Sequence, residues 1–225
     1  MARGRNARGA NIYLFSASLM LRRHMLAGLA LSLLAVLLPA ACAQALPLDS
    51  RPGDLIFRRG TSLDSALVLS VDSGEFSHVG MLLGAPGAWQ VIHATPSEVP
   101  GRDDGVVIDD LAFFLDPARS QAHAVYHVQA SPEQRAQAIK QTLAARGLTF
   151  RLADPVGTYC TMLIWQAWLD AGLDLEVAFT PLALPLMQGD YLLPGSLARS
   201  RHLRRGDLVQ GVNPLRALLQ NPTRQ

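Results

Sequence analysis

The chain has 225 residues, 49% of them hydrophobic and 6% aromatic, with 20 basic and 18 acidic side chains and two cysteines. Five of the bases (Arg3, Arg5, Arg8, Arg22 and Arg23) and none of the acids fall in the first 45 residues, so the remainder holds fifteen bases against eighteen acids, a net charge of −3. That balance leaves no basic stripe, and the few aromatics are not interleaved with arginines, which excludes a nucleic-acid-binding surface.

The basic start leads into an apolar run from Met25 to Leu38. These are the n-region and h-region of an export signal, too short to span a bilayer comfortably. Ala43-Gln44-Ala45 fits the small-x-small rule for cleavage after Ala45, whereas Ala40-Ala41-Cys42 has the form of a lipoprotein signal that would place a lipid anchor on Cys42. Met20 and Met25 are alternative starts. The expected product is a single domain over residues 46–225, periplasmic or extracellular, long enough for one real core. Its one thiol is then Cys160, with no disulfide partner in an oxidising compartment.

Pro52-Gly53-Asp54 predicts a turn into a buried strand, Leu55-Ile56-Phe57, and Ser62 can cap a helix running to about Val71. Segments 76–83 and 89–94 alternate around Gly84-Ala85-Pro86-Gly87, the pattern of a β-hairpin with a four-residue loop. Further strands are expected at 106–108 and 122–128. Ser131-Pro132-Glu133-Gln134 is a capping box with proline at the first helical position, opening a helix that stops at Gly147. The next helix starts near Cys160 and ends at Gly172. The proline-rich stretch from Thr180 to Pro194 is expected as an ordered surface loop, and residues 205–209 as a last strand whose Arg-Gly-Asp is a turn.

A hairpin loop symmetric about Ala85 and Pro86 sets His78 directly opposite His93, about 5 Å apart at the β-carbons. Phe76, Gly80, Trp89 and Val91 share that face. The first turn of the helix at Cys160 offers free backbone N–H groups and the positive end of a dipole, which favour thiolate over thiol and a pKa below about 8.5. Its apolar stripe of Leu163, Ile164, Ala167 and Trp168 is spaced to pack on the hairpin face and bring Cys160 toward His78. A thiol beside an imidazole whose second nitrogen is oriented by another polar group is the arrangement of a nucleophilic hydrolase. Singly, a buried cysteine or strand histidine is more often a core residue; the conjunction points to chemistry.

Pro52-Gly53-Asp54-Leu55-Ile56-Phe57, Ser77-His78-Val79-Gly80, Val91-Ile92-His93-Ala94 and Tyr159-Cys160 at a helix start, in that order, resemble the permuted, YiiX-like branch of the NlpC superfamily of papain-like cysteine hydrolases, distantly related to lecithin–retinol acyltransferase. The resemblance runs from about residue 51 to 200 and includes Gly105-Val106-Val107-Ile108 and Pro194-Gly195-Ser196-Leu197. It implies an α+β, circularly permuted papain-like fold, an antiparallel sheet or partial barrel packed by the cysteine-bearing helix. It also implies Cys160 as nucleophile, His78 as general base, His93 as the orienting third residue and Tyr159 flanking the substrate. Two positions depart from the family pattern: many relatives carry an acid where this chain has His93, and Ser-Glu where it has Thr161-Met162.

The function expected is an exported cysteine hydrolase without cofactor, cleaving an amide bond in a cell-wall peptide. Its alternatives are an acyl or lipid hydrolase or acyltransferase working through a thioester, a non-catalytic binding domain, and a zinc site. The zinc site would be built from Cys160, His78 and His93, with His123 and His127 as extra ligands. Partners are peptide, amide or acyl substrates, with no nucleic acid, and membrane contact only through the signal or an anchor at Cys42.

Overall fold

A computed structural model describes residues 46–152, 157–184 and 187–207. The export segment, Cys42 and residues 208–209 of the expected last strand lie outside the described residues. Eight strands occur among them: β1 (Leu55–Gly60), β2 (His78–Leu83), β3 (Gln90–Thr95), β4 (Gly105–Asp110), β5 (Ser120–Val128), β6 (Thr180–Leu184), β7 (Met187–Tyr191) and β8 (Leu203–Arg205). The helices are α1 (Leu63–Val71), α2 (Leu111–Phe114), α3 (Pro132–Ala144), α4 (Cys160–Asp170) and α5 (Pro194–Ala198). Six strands form one antiparallel sheet in the order β4-β3-β2-β1-β5-β8, open at both edges, and β6 pairs with β7 alone. This α+β architecture, an open antiparallel sheet packed by the cysteine-bearing helix, is the fold expected from the sequence.

The predicted caps are in place. Ser62 Oγ accepts from Ser65 N–H at 3.1 Å to start α1, and Ser131 and Gln134 exchange both bonds of the capping box on α3. Gly147 and Gly172 follow α3 and α4 with φ of +85° and +80°, a conformation that favours glycine. The Pro-Gly-Asp turn is a structural knot. Buried Asp54 accepts from Arg135 Nη1 and His127 Nδ1, each at 2.8 Å, and from the N–H groups of Arg51 and Val128. One carboxylate thus ties β1 to β5 and α3. Gly53 has φ +88°, and a β-carbon there would fall 2.8 Å from Arg135 Cγ, so the turn admits no side chain.

Three expectations are corrected. The hairpin loop spans Gly84 to Trp89, because Pro86-Gly87 forms the centre of a tight turn closed by Ala88 N–H to Ala85 O at 2.9 Å, with Gly87 at φ +89°. Proline second and left-handed glycine third is the sequence signature of a type II turn. The pairing is therefore Leu83 with Gln90 and Met81 with Ile92, and continuing it sets His93 against Gly80 and His78 against Thr95. Two residues of shift preserve the face, so the histidines are diagonal neighbours rather than a direct pair.

The stretch expected as a loop from Thr180 to Pro194 instead pairs as β6 and β7. Pro181, Ala183 and residues 188–190 are exposed, while Leu182, Leu184, Met187 and Tyr191 turn inward and pack with Val71, Leu152 and Tyr159. The third correction concerns helix docking. Leu163, Ile164, Ala167 and Trp168 are buried as predicted, but α4 packs on Val79, Met81 and Ile92, the face opposite the histidines. The histidine face is covered instead by α2, whose Phe114 packs with Ile56, Leu82 and Val91. Phe76, just before β2, also turns to the helix side and packs on Phe57 at 5.8 Å between ring centroids.

Candidate active site

Three adjacent strands each contribute one polar side chain to the same face, stepping diagonally across the sheet. His78 opens β2, His93 lies in β3 and Asp109 near the end of β4. His78 Nε2 lies 2.8 Å from His93 Nδ1, and His93 Nε2 lies 3.0 Å from Asp109 Oδ2. Arg102 Nη1 donates to the other carboxylate oxygen of Asp109 at 2.6 Å. Gly80 makes the first step possible: a methyl there would sit 2.4 Å from Val91 Cγ1 and 3.1 Å from His93 Cβ, in the space the rings need to meet.

The direction of every proton in this chain follows from its far end. Desolvation opposes ionisation of buried Asp109, but hydrogen bonds from His93 and Arg102 outweigh it and hold the carboxyl below its ordinary range. An ionised carboxylate only accepts, so His93 carries its proton on Nε2. Burial pushes the His93 pKa down, against the support of Asp109, so the ring is neutral and its Nδ1 accepts. His78 therefore donates from Nε2. Its own pKa is held well below the ordinary value by burial, the Arg58 charge and His93. Nδ1 of His78 is left with a lone pair, on a ring that lines a cleft also lined by Cys160.

Cys160 is the first residue of α4, with Tyr159 as its N-cap. Backbone N–H groups of Val79, Thr161 and Cys160 itself are aimed at the sulfur, and the Arg58 charge favours its thiolate. Burial outweighs them and pushes the thiol up to about 11. The expected depressed pKa is therefore not met: the helix start supplies donors, but the thiol of a residue only 9% exposed loses more from leaving water than those donors return. Thr161 Oγ1 donates to Leu192 O at 2.6 Å and pins the helix start. Met162 lines a separate groove with Gln141 and Leu148 rather than the cleft lined by Cys160.

Several residues with no signal of their own complete the site. Arg58 pairs across the sheet with His78, is buried, donates to Phe114 O at 2.9 Å and forms an ion pair with Glu98. The Phe114 ring from α2 covers both imidazoles, 5.7 Å from His78 and 5.0 Å from His93 between centroids, and the Arg58 guanidinium lies over it at 4.4 Å. Tyr159 also lines the cleft, with its hydroxyl accepting from Leu192 N–H at 3.0 Å. Asp109 was readable: it is an acid on the same strand face as Val107, which stands opposite His93.

The ligand set proposed for zinc is not assembled. His127 is held by Asp54 away from the histidine pair, and His123 lies across Arg58 on β5. Among the described residues the one group of three with close ligand atoms is His93, Glu98 and Asp109. Both His93 nitrogens are hydrogen-bonded, and guanidiniums of Arg58 and Arg102 occupy the two acids, so the surroundings disfavour a cation.

No family model matches the chain, and no curated protein matches its sequence. Among solved structures it matches the crystal structure of metalloprotein yiiX from Escherichia coli O157:H7, with a TM-score of 0.57 and 17% identity over 69% of this chain and 95% of that one. The chain carries a YiiX-like fold.

Proposed function

We propose that the protein is a cysteine hydrolase that cleaves an amide or ester bond through a thioester, with Cys160 as nucleophile and His78 as general base. One observation carries this reading: a relay of hydrogen bonds runs from Asp109 through His93 to Nε2 of His78, and the His78 ring lines the same cleft as Cys160. The thiol starts protonated. His78 Nδ1 takes that proton as the sulfur attacks the carbonyl carbon, and the carbonyl π pair moves to oxygen. The imidazolium is stabilised through His93 by the Asp109 charge. N–H groups at the start of α4 are the nearest donors for the oxyanion. Collapse expels the amine or alcohol with the proton from His78, and a water deprotonated by the same ring then releases the acid and restores the thiol.

YiiX is described as a metalloprotein; here the donors around His93 are taken by arginines, and no step is routed through a metal. The chain is further proposed to act outside the cytoplasm after loss of residues 1–45, and amino-terminal sequencing of secreted material should begin at Leu46. An intact Met1 on cytoplasmic protein would sink that proposal.

The catalytic reading is tested with p-nitrophenyl esters and acyl p-nitroanilides. Cys160→Ala and His78→Ala should each remove nearly all turnover with circular dichroism unchanged, while His93→Ala should be milder and His93→Asn should recover part of the loss. In the resting enzyme, alkylation of Cys160 by iodoacetamide should climb through the alkaline range toward pH 11. Full activity in Cys160→Ala would eliminate thiol catalysis, and an alkylation plateau in mild acid would replace the neutral pair with a preformed thiolate–imidazolium pair.

A further inference from the structure

The two residues that flank Cys160 both hold the chain at Leu192. Tyr159, before it, accepts from Leu192 N–H at 3.0 Å through its hydroxyl, and Thr161, after it, donates from Oγ1 to Leu192 O at 2.6 Å. Tyr191 ends β7 and immediately precedes that clamped residue, so its backbone is fixed beside the nucleophile. Its ring packs with Met187, Leu193 and the Tyr159 ring, 6.0 Å away between centroids, and the side chain lines the cleft that Cys160 and His78 also line. Only 3% of Tyr191 is exposed.

The hydroxyl at the end of that ring is buried and has no hydrogen-bond partner among the described residues. Burying a hydroxyl unpaired is unfavourable, and the other hydroxyls lining the cleft are all engaged. Those of Tyr159 and Thr161 hold Leu192, and those of Thr95 and Ser97 donate to carbonyls of their own loop. Ser62 bonds to Ser65, and Ser77 accepts from Gly60 N–H. The backbone donors nearest the thiol, on Val79, Cys160 and Thr161, are aimed at the sulfur in the resting enzyme. Among the described residues Tyr191 therefore carries the one uncommitted hydroxyl in the cleft, and a phenol O–H can donate. What any acyl transfer brings to the sulfur is a carbonyl oxygen, which accepts hydrogen bonds and gains negative charge as sulfur attacks.

Resting on the thiol hydrolase reading, we infer that Tyr191 is a further catalytic residue, whose hydroxyl donates a hydrogen bond to the substrate's carbonyl oxygen and holds the oxyanion formed from it. The cleft, at about 190 Å³, is little larger than the cavity of about 150 Å³ that encloses one benzene, so groups on its facing walls meet at the same few substrate atoms. The bond strengthens as charge develops on oxygen. No proton changes hands: the phenol keeps its hydrogen, and collapse of the tetrahedral intermediate returns the electron pair to the carbonyl.

Tyr191→Phe removes the hydroxyl and keeps the ring. With p-nitrophenyl esters kcat should fall about 100-fold, with KM changed less than about threefold. Because the lost hydroxyl was unpaired, the urea midpoint should stay level or rise. Two reactions of Cys160 separate an oxyanion donor from a group that merely shapes the cleft. 4-Nitrobenzaldehyde adds to the thiol as a hemithioacetal whose oxygen occupies the oxyanion position, and its affinity should fall about tenfold or more. Iodoacetamide alkylates the same sulfur without making an oxyanion, and its rate should stay within about twofold of the parent's. Unchanged kcat or aldehyde affinity in Tyr191→Phe, or an equal loss in the alkylation rate, would overturn the inference while leaving thiol catalysis intact. A lowered midpoint or failure to fold would also overturn it, by showing that the hydroxyl is bonded in the resting fold. Turnover surviving in Cys160→Ala would instead remove the catalytic reading on which it rests.

Discussion

At the scale of single residues, the general-base role proposed for His78 depends on a group two steps away. Desolvation makes both imidazoles neutral, and neutrality alone would leave either tautomer open; the Asp109 carboxylate selects one for each ring. Asp109→Asn tests that dependence. An amide can present its N–H to His93, which would turn His93 Nε2 into an acceptor and reverse both rings. Turnover should fall on the order of 10²-fold or more with little change in KM, and the acid limb of kcat/KM should move. Equal kcat in Asp109→Asn would show that the relay does not set the tautomer. Arg102→Gln, which leaves the carboxylate in place, should have the smaller effect.

At the scale of elements, the hairpin is the part on which the relay's geometry depends. Gly80→Ala should push Val91 and His93 apart; overpacking of this kind costs about 1–3 kcal/mol, and activity should fall further than stability does. A denaturation midpoint and kcat measured together would check this, and a variant as active as the parent would mean the rings adjust freely. The same hairpin shows what the sequence discloses. The first five strands, the caps and the shared face of His78 and His93 were legible because alternation and capping chemistry are local, whereas β6 and β7 were expected as a loop and the last strand falls at 203–205 rather than 205–209. The register was readable from Pro86-Gly87 but was centred one residue early. Helix docking was not legible from local pattern, since both faces of β2 and β3 are buried and alternation cannot say which one receives α4. The partnership of Arg58, Glu98 and Phe114 links residues 40 and 56 positions apart and left no periodic trace.

At the scale of the whole molecule, the buried imidazoles couple activity to acid stability. His78 and His93 have folded pKa values below the 6.5 of an exposed histidine, so below pH 6.5 the unfolded chain binds protons that the folded one refuses. Stability should be level from pH 6.5 through neutral pH and decline as pH falls below 6.5, by up to about 2.7 kcal/mol per pH unit while both rings remain neutral in the fold. Urea midpoints at pH 7.5, 6.0 and 5.0 measure this, and an unchanged midpoint at pH 5.0 would show that the rings are charged in the native state. The thiol obeys the same desolvation with a different outcome. With its pKa pushed up to about 11, only on the order of one Cys160 in ten thousand is thiolate at pH 7, and peroxides and disulfides attack thiolates. A buried sulfur kept protonated is a poor target for oxidants, so the burial that opposes its ionisation also shields it from oxidation.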